Sequence, residues 1–365
     1  MAKVCKKNRK KKVSLQEAVR AQKARSNARF YNLNSMLGNK CIFYIILGGR
    51  MTGKSYAGAE FLIKQKRELK DECKNIWMRI SETSVNLMKQ NRCSAFIDPD
   101  LQRRYKLDLS SKGMYVKNHK KDWMLVQSLA EFSKAKGIGF YDKDYKGWYN
   151  IVFDEFQLEQ GERKTSFDIL YNFIGALENN IRTNKKKVRV FLFGNTLEEA
   201  SSILKAFNFI PQSFGRFYLH KWNKYTKKRE LYAVIDNLEP TEEYLKDRYG
   251  SAADLLGGDR LSNYTNELTK DIELIKPQRP VKPNTIIKFS KYKADWYTVW
   301  NGNYIRKYNK EEIKDDIAMI PHIPARYNPE RLAWVKDMYN ARAFCFDSLI
   351  TQQYFTDAMT NIFKK

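Results

Sequence analysis

Apolar positions along this chain fall into two rhythms. Near-continuous apolar runs at "CIFYIIL" (41–47), "NIWMRIS" (75–81), "WYNIVFDEF" (148–156) and "KVRVFLFGN" (187–195) predict buried strands, apolar on both faces as in a parallel sheet. Between them the period lengthens. Ser55 to Leu69, "TSVNLMKQ" (83–90) and "FDILYNFIGALENNI" (167–181) carry helical spacing. "MYVKN" and "WMLVQSL" read as a hairpin within residues 100–140. Strands alternating with helices predict an α/β fold with a mainly parallel sheet.

The rhythm changes after about residue 215. "RFYLHKW" and "RELYAVI" resemble antiparallel strands, and "TEEYLKDRYGSAADLLGG" is helical and polar up to a Gly-Gly stop. "KPQRPVKP" (276–283), with three prolines in eight residues, is the clearest linker. The stretch "NTIIKFSKYKADWYTVWNGNYIRKYN" then predicts a three-strand meander, followed by helical segments to the end. The expected organisation is a basic arm over 1–29, a first domain over 30–238, a connector over 239–275 and a smaller α+β domain over 276–365.

Composition narrows the partners. The 365 residues carry 67 Lys+Arg against 41 Asp+Glu, a net charge of +26, which attracts polyanions. Residues 1–29 hold eleven basic side chains and one acid, Glu17. "KKNRKKK" reads as a disordered arm; "SLQEAVRAQKARSNA" fits a short basic helix with Ser14 and Glu17 as its capping box. No apolar run approaches the roughly 20 residues that span a bilayer, so no membrane partner is expected. Five scattered cysteines without a CxxC pair point to reduced thiols rather than disulfides or zinc. His119, His220 and His322 lie far apart and read as structural or surface residues.

The chemistry begins at residue 48. Gly48-Gly49-Arg50-Met51-Thr52-Gly53-Lys54-Ser55 matches G-x-x-x-x-G-K-[ST] between a predicted strand and a predicted helix, the context this phosphate loop requires. Its glycines let backbone N–H groups face phosphates, and the helix N-terminus adds a positive dipole. Lys54 is the expected partner of the β- and γ-phosphates of ATP, and the Ser55 hydroxyl a ligand of Mg²⁺. Asp154 and Glu155 end an apolar strand; the first is expected to hold Mg²⁺ and the second to activate water. Switch GTPases and P-loop kinases generally lack a glutamate there. Asn195, at the tip of a strand beside the first, is placed to touch the γ-phosphate or the water. The strand at 75–81 lies between the two motifs in sequence and is the expected inserted strand of the sheet.

These residues carry a resemblance. G-G-R-x-x-G-K-S resembles the large-terminase branch of viral packaging motors, and more closely the DNA-packaging ATPases of small protein-primed podophages, the Picovirinae type. Phe30-Tyr31-Asn32 matches that family's element upstream of the phosphate loop, and Ile151 to Phe156 its catalytic strand I-V-F-D-E-F. Val188-Arg189 with Asn195 matches a further strand. The likeness covers about residues 30–200 and is weak beyond.

The resemblance implies an additional-strand, catalytic-glutamate ATPase that forms a ring, five-fold, at the portal vertex of an empty capsid in the host cytoplasm. It implies translocation of double-stranded DNA inward, with Tyr31 beside the nucleotide and, in some members, a structural packaging RNA; Arg50 is a candidate either for contact with the nucleotide or for relay to DNA-gripping loops. It also implies a C-terminal domain like an RNase H-like nuclease that has lost its acids and docks on the capsid. The "NNIRTNKKKVR" loop offers a trans-acting cation. Arg182 is the candidate because its fork bridges two phosphoryl oxygens, with Lys136 in "SKAKG" second. Two alternatives stand beside this reading: another ring-forming translocase on nucleic acid, helicase-like, and a nucleic-acid-binding structural protein with a silent phosphate loop.

Overall fold

The computed structural model describes residues 30–90, 98–134, 142–157, 165, 167–182, 186–195, 202–211, 213–256, 274–275, 283–289, 293–312, 318–320 and 329–363. The expected basic arm, all but the last residue of the proline linker, His322 and Lys136 lie outside these residues.

Nine strands form one sheet: β1 (Phe43–Leu47), β2 (Cys73–Arg79), β3 (Leu109–Lys112), β4 (Tyr115–Asn118), β5 (Lys121–Ser128), β6 (Trp148–Asp154), β7 (Val188–Gly194), β8 (Gly215–Asn223) and β9 (Lys228–Asn237). Their order is β3-β4-β5-β2-β6-β7-β1-β9-β8. The run from β5 to β9 is parallel throughout, and antiparallel strands close both edges. The predicted hairpins 115–128 and 215–237 are present. The polar stretch at 109–112 adds an edge strand that apolar pattern alone does not signal.

Strand order corrects one expectation. The strand between β1 and β6 is β7, and the strand at 75–81 lies outboard of β6, against β5. Sequence order misleads here because a right-handed crossover can land on either side of its parent strand. At the centre β7 joins β1 and β6 in register, and its last five residues are buried there.

Alternate residues of each strand feed opposite layers. Ile45, Leu47, Ile151, Phe153, Val190, Leu192 and Ile235 face one layer; Tyr44, Ile46, Val152, Phe191, Phe193 and Val234 face the other. A fully buried side chain of this size contributes about 1.5–3 kcal/mol. The helix Ile169–Ile181 covers the first layer with Phe173, Ala176 and Ile181. The helix Lys54–Leu69 covers the second with Ala57, Phe61, Leu62 and Ile63. That helix can approach because residue 58 is glycine: a Cβ there would lie 2.4 Å from the Phe193 ring. It ends at Lys70, which turns to φ +49, with Lys66 and Arg67 favourably placed in the last turn against the helix dipole.

The helical pattern expected over 241–258 is two short helices, Glu242–Arg248 and Ala252–Leu255. Gly250, at φ +73, makes the break. Beyond it, β10 (Pro283–Lys288), β11 (Trp296–Trp300) and β12 (Tyr304–Lys307) form the predicted meander, extended by β13 (Ala318–Ile320) beside β10 and β14 (Cys345–Phe346) beside β12. The helices Pro329–Asn340 and Leu349–Phe363 pack on it, and Phe355 meets the rings of Phe289, Tyr297, Phe344 and Phe346 at 5.1–5.6 Å. The second unit is fastened to the first. Leu349 enters the large sheet's core, Asp357 pairs with Lys205, and the Tyr354 hydroxyl donates to the Lys205 carbonyl at 3.2 Å. No helix among the described residues is long and apolar enough to cross a membrane. Cys41, Cys73 and Cys345 are free thiols.

Candidate functional site: an anion cradle at the carboxyl edge of the sheet

The ends of β1, β7 and β6 lie side by side, with Leu47 opposite Gly194 and Phe193 opposite Asp154. A cavity of about 360 Å³ opens there, lined by Arg50, Met51, Thr52, Gly53, Lys54, Ser55, Asp154, Glu155 and Asn195, with Tyr56 and Phe193. Residues more than a hundred positions apart in sequence thus share one small space.

The loop is shaped by two left-handed residues, Met51 (φ +65) and Gly53 (φ +86). Glycine relieves the second, where the Phe30 side chain packs 3.2 Å from where a Cβ would stand. Gly53 caps the helix without a side-chain acceptor, whereas Ser81, Asp98, Asp168, Thr241 and Ser251 each cap theirs with an oxygen. The first-turn N–H groups of the longest described helix are thereby left to an anion.

Lys54 is 7% exposed, and its ammonium donates to the carbonyls of Gly48 (2.6 Å) and Gly49 (2.7 Å) and to Thr52 Oγ1 (3.1 Å). Burial pulls its pKa down to about 8, opposed by the charges of Asp154 and Glu155. The ammonium thus bonds to the loop's own oxygens, within the space that phosphate oxygens fit.

The Ser55 hydroxyl donates to Asp154 Oδ1 at 2.8 Å, and Asp154 is 1% exposed. Two hard oxygen ligands in contact, with room for phosphate oxygens beside them, suit Mg²⁺, which binds through one or two protein ligands plus substrate phosphates. The donor set fits the ion. Glu155 follows at φ +53, a left-handed turn that costs about 1–3 kcal/mol in a side-chain-bearing residue and is held by its surroundings. Its carboxylate is half exposed, in contrast to that of Asp154.

Sequence reasoning missed Arg79. At the end of β2, its guanidinium reaches Asp154 Oδ2 at 2.7 Å and Glu155 Oε2 at 3.1 Å, so one cation braces both carboxylates. A lone arginine ending a strand carries no local signal. Only the strand order puts it beside β6. Tyr244 was also missed: its hydroxyl donates to the Arg50 carbonyl at 3.0 Å, tying the loop to the helix Glu242–Arg248.

Four of the expected residues that are described do not line the cavity: Gly48 and Gly49, whose carbonyls accept from the Lys54 ammonium, Tyr31 and Arg182. The Tyr31 hydroxyl donates to Asp236 Oδ2 at 2.8 Å, where Arg216 already holds both carboxylate oxygens and the Ser35 hydroxyl and carbonyl. Burial and the neighbouring Asp236 push its phenol well above the usual range. Tyr31 still touches the loop, through its backbone N–H to the Thr52 carbonyl at 2.9 Å. Arg182 ends the helix Ile169–Ile181 at the opposite edge of the sheet, where β7 begins, so it does not join the phosphate cradle of its own chain. Arg189 stacks on Trp148 at 3.7 Å and donates to Gln65, a structural setting.

Fold and site together define an α/β protein with a phosphate-sized cradle at the carboxyl edge of a mainly parallel sheet. The model of the podovirus DNA encapsidation protein (Gp16) family matches residues 25–302, and the chain belongs to that family. It is 26% identical over 230 residues to the "DNA packaging protein" of Bacillus phage PZA and equally to that of Bacillus phage phi29. Each match spans 62% of this chain and 62% of the relative's length. Among solved structures, a chain of "The bacteriophage Phi-29 viral genome packaging motor assembly" superposes with TM-score 0.61 at 18% identity, covering 92% of this chain and 99% of that one. A chain of "The Phi-28 gp11 DNA packaging Motor" gives 0.55 at 12%, covering 92% and 98%. At such identities the superpositions establish a shared fold.

Proposed function

We propose that this chain is the ATP-hydrolysing subunit of a motor that drives double-stranded DNA through a portal into an empty capsid. One observation carries the reading: Lys54, Ser55, Asp154, Glu155 and Asn195, delivered by three adjacent strand ends, converge on one cavity. Membership of a DNA encapsidation family supplies the cargo, and a charge of +26 agrees with it. The position of β7 between β1 and β6 supports the additional-strand, catalytic-glutamate type of ATPase.

In this reading the uncapped helix start and Lys54 hold the triphosphate of the substrate, and Ser55 and Asp154 hold Mg²⁺, which neutralises charge on the transferred phosphoryl. Glu155 takes a proton from the attacking water as the bond to the terminal phosphorus forms and the bridging oxygen leaves with ADP. Asn195 orients that water or the phosphoryl oxygen. Arg79 holds the Glu155 carboxylate in place. Arg182 sits a sheet's height from its own cradle, so its proposed role at a phosphate is played on a neighbouring chain of a homo-oligomeric ring, with five chains expected from the family likeness.

The unit 30–238 serves as the motor, 239–275 as connector and 276–365 as a capsid-facing domain of degenerate RNase H-like type. The mixed sheet of that domain supports the last assignment. The expectation that this domain has no nuclease activity draws support from β10, which carries no carboxylate, and from Asp295, which lies in the turn before β11. The portal, the procapsid vertex in host cytoplasm and a structural RNA remain the family's expected partners and setting.

Glu155→Gln tests the core of the proposal. The amide keeps the shape and cannot accept the proton, so single-turnover hydrolysis should fall by about 10² to 10⁴ with ATP affinity nearly intact. Near-normal single-turnover hydrolysis would falsify the assignment. ATP-dependent protection of DNA from nuclease, with purified empty capsids present, separates packaging from helicase-like translocation.

A further inference from the structure

The hairpin of β8 and β9 leaves the body of the sheet. Ala233 of β9 pairs with Phe43, the first residue of β1, yet β9 begins at Lys228. Five residues at about 3.3 Å each carry the ribbon roughly 17 Å past the amino edge of β1, away from the phosphate cradle. The sequence of this tip, Lys221 to Arg229, is KWNKYTKKR: five cations and no acid. Every one of those side chains is exposed except half-buried Asn223. Trp222 is 60% and Tyr225 85% exposed.

The tip is also pre-shaped. Asn223 Oδ1 accepts from the Tyr225 and Thr226 backbone N–H groups at 2.9 and 3.2 Å. The first acid after the tip, Glu230, accepts from Asn223 Nδ2 (2.9 Å) and Thr226 Oγ1 (2.7 Å). A turn ordered before binding loses less entropy on binding. Lys186 and Lys187, which precede β7, lie at the same amino edge of the sheet, two strands to the side of β9 and well short of the tip.

Lysines alone would be enough to keep an edge strand from pairing with another chain. Two large exposed aromatics at the end of the ribbon work against that purpose and call for a ligand. We infer that the β8–β9 tip is a docking surface for double-stranded DNA, entering the major groove with its cations on the flanking phosphates. The groove of B-form DNA, about 12 Å wide, admits a two-stranded ribbon. The deep, narrow major groove of A-form RNA does not admit side chains. The inference uses the motor reading only for the identity of the polyanion. It places DNA at the edge of the sheet opposite the nucleotide.

The test uses the full chain and a mixed-sequence duplex, as DNA and as RNA, with binding followed by fluorescence anisotropy across a salt series. Lys221, Lys224, Lys228 and Arg229 are replaced together by alanine; all are exposed, and none touches the cradle. Each phosphate left without its cation lowers the slope of log K against log salt by about 0.9, so the DNA slope should fall by about 3 to 4. ATP hydrolysis measured without DNA should be unchanged, and RNA binding should change less than DNA binding. Trp222→Ala with Tyr225→Ala should weaken DNA binding at every salt concentration while keeping the slope. An unaltered slope in the cation variant, with wild-type chain binding DNA normally, overturns the inference and leaves the motor reading standing. Equal or larger losses on RNA overturn the choice of DNA. A wild-type chain that binds no duplex DNA removes both the inference and the DNA-motor reading.

Discussion

Arg79→Ala should be among the most damaging single changes at the site, although Arg79 belongs to neither sequence motif. The Asp154 carboxylate is 1% exposed and receives one hydrogen bond from Ser55 and one from Arg79, whose own side chain is 14% exposed. Removing one partner of a buried ion pair typically costs about 3–5 kcal/mol, because the remaining charge keeps its desolvation penalty. Lys54 stays close enough to act electrostatically with Asp154, and water can enter where the arginine stem was. The lower end, about 3 kcal/mol, is therefore expected. The carboxylate left behind is also a metal ligand in the proposed site, so Mg²⁺ with a non-hydrolysable triphosphate should restore part of the loss. The assay is thermal and denaturant unfolding of wild type and variant, each with and without Mg²⁺ and the analogue. The ligands should stabilise the variant more than the wild type. A loss under about 1 kcal/mol, the range of a surface ion pair, together with equal stabilisation of both proteins, would refute the role of Arg79 as counter-charge.

Two further outcomes follow from the cradle and the core. Burial lowers Lys54 to about 8, and a bound triphosphate favours the charged ammonium. The free chain therefore gives up its proton first, and affinity should weaken above pH 8 by up to about tenfold per unit. Calorimetric titration across pH 7 to 10 checks this, and a flat profile above pH 8 would contradict it. Gly58→Ala places a Cβ 2.4 Å from the Phe193 ring. Overpacking of about 1–3 kcal/mol should outweigh the roughly 1 kcal/mol gained in helix propensity, whereas Gly38→Ala, with open space around it, should be neutral in the same unfolding assay.

What the sequence disclosed, and what it hid, follow one physical division. Runs such as Phe43–Leu47 and Trp148–Asp154 announce strands because burial on both faces leaves no polar alternation. The loop at 48–55 is legible because glycine, lysine and serine at fixed spacing each have a geometric task. Pairing order has no such local imprint. It emerges from which apolar faces fit together, and so β7 rather than β2 fills the centre. Arg79 and Tyr244 were hidden for the same reason, since their partners are 75 and 194 residues away. Tyr31 is the converse case: a motif neighbour whose hydroxyl a distant pair, Asp236 and Arg216, draws away from the cavity.

The hydrogen bond from Tyr244 to the Arg50 carbonyl makes the loop at 48–55 a balance arm. Tyr244 belongs to the first helix after the large sheet, upstream of the smaller domain, and is 1% exposed. In the proposed reading, a rotation of the Arg50 peptide as phosphates settle would stretch that bond, worth about 1 kcal/mol net. If the loop holds a nucleotide as proposed, strain applied to that helix would by reciprocity return to the loop as altered nucleotide affinity, by about fivefold for each kilocalorie of coupling. Load on the downstream domain and occupancy of the cradle would then weigh on the same carbonyl.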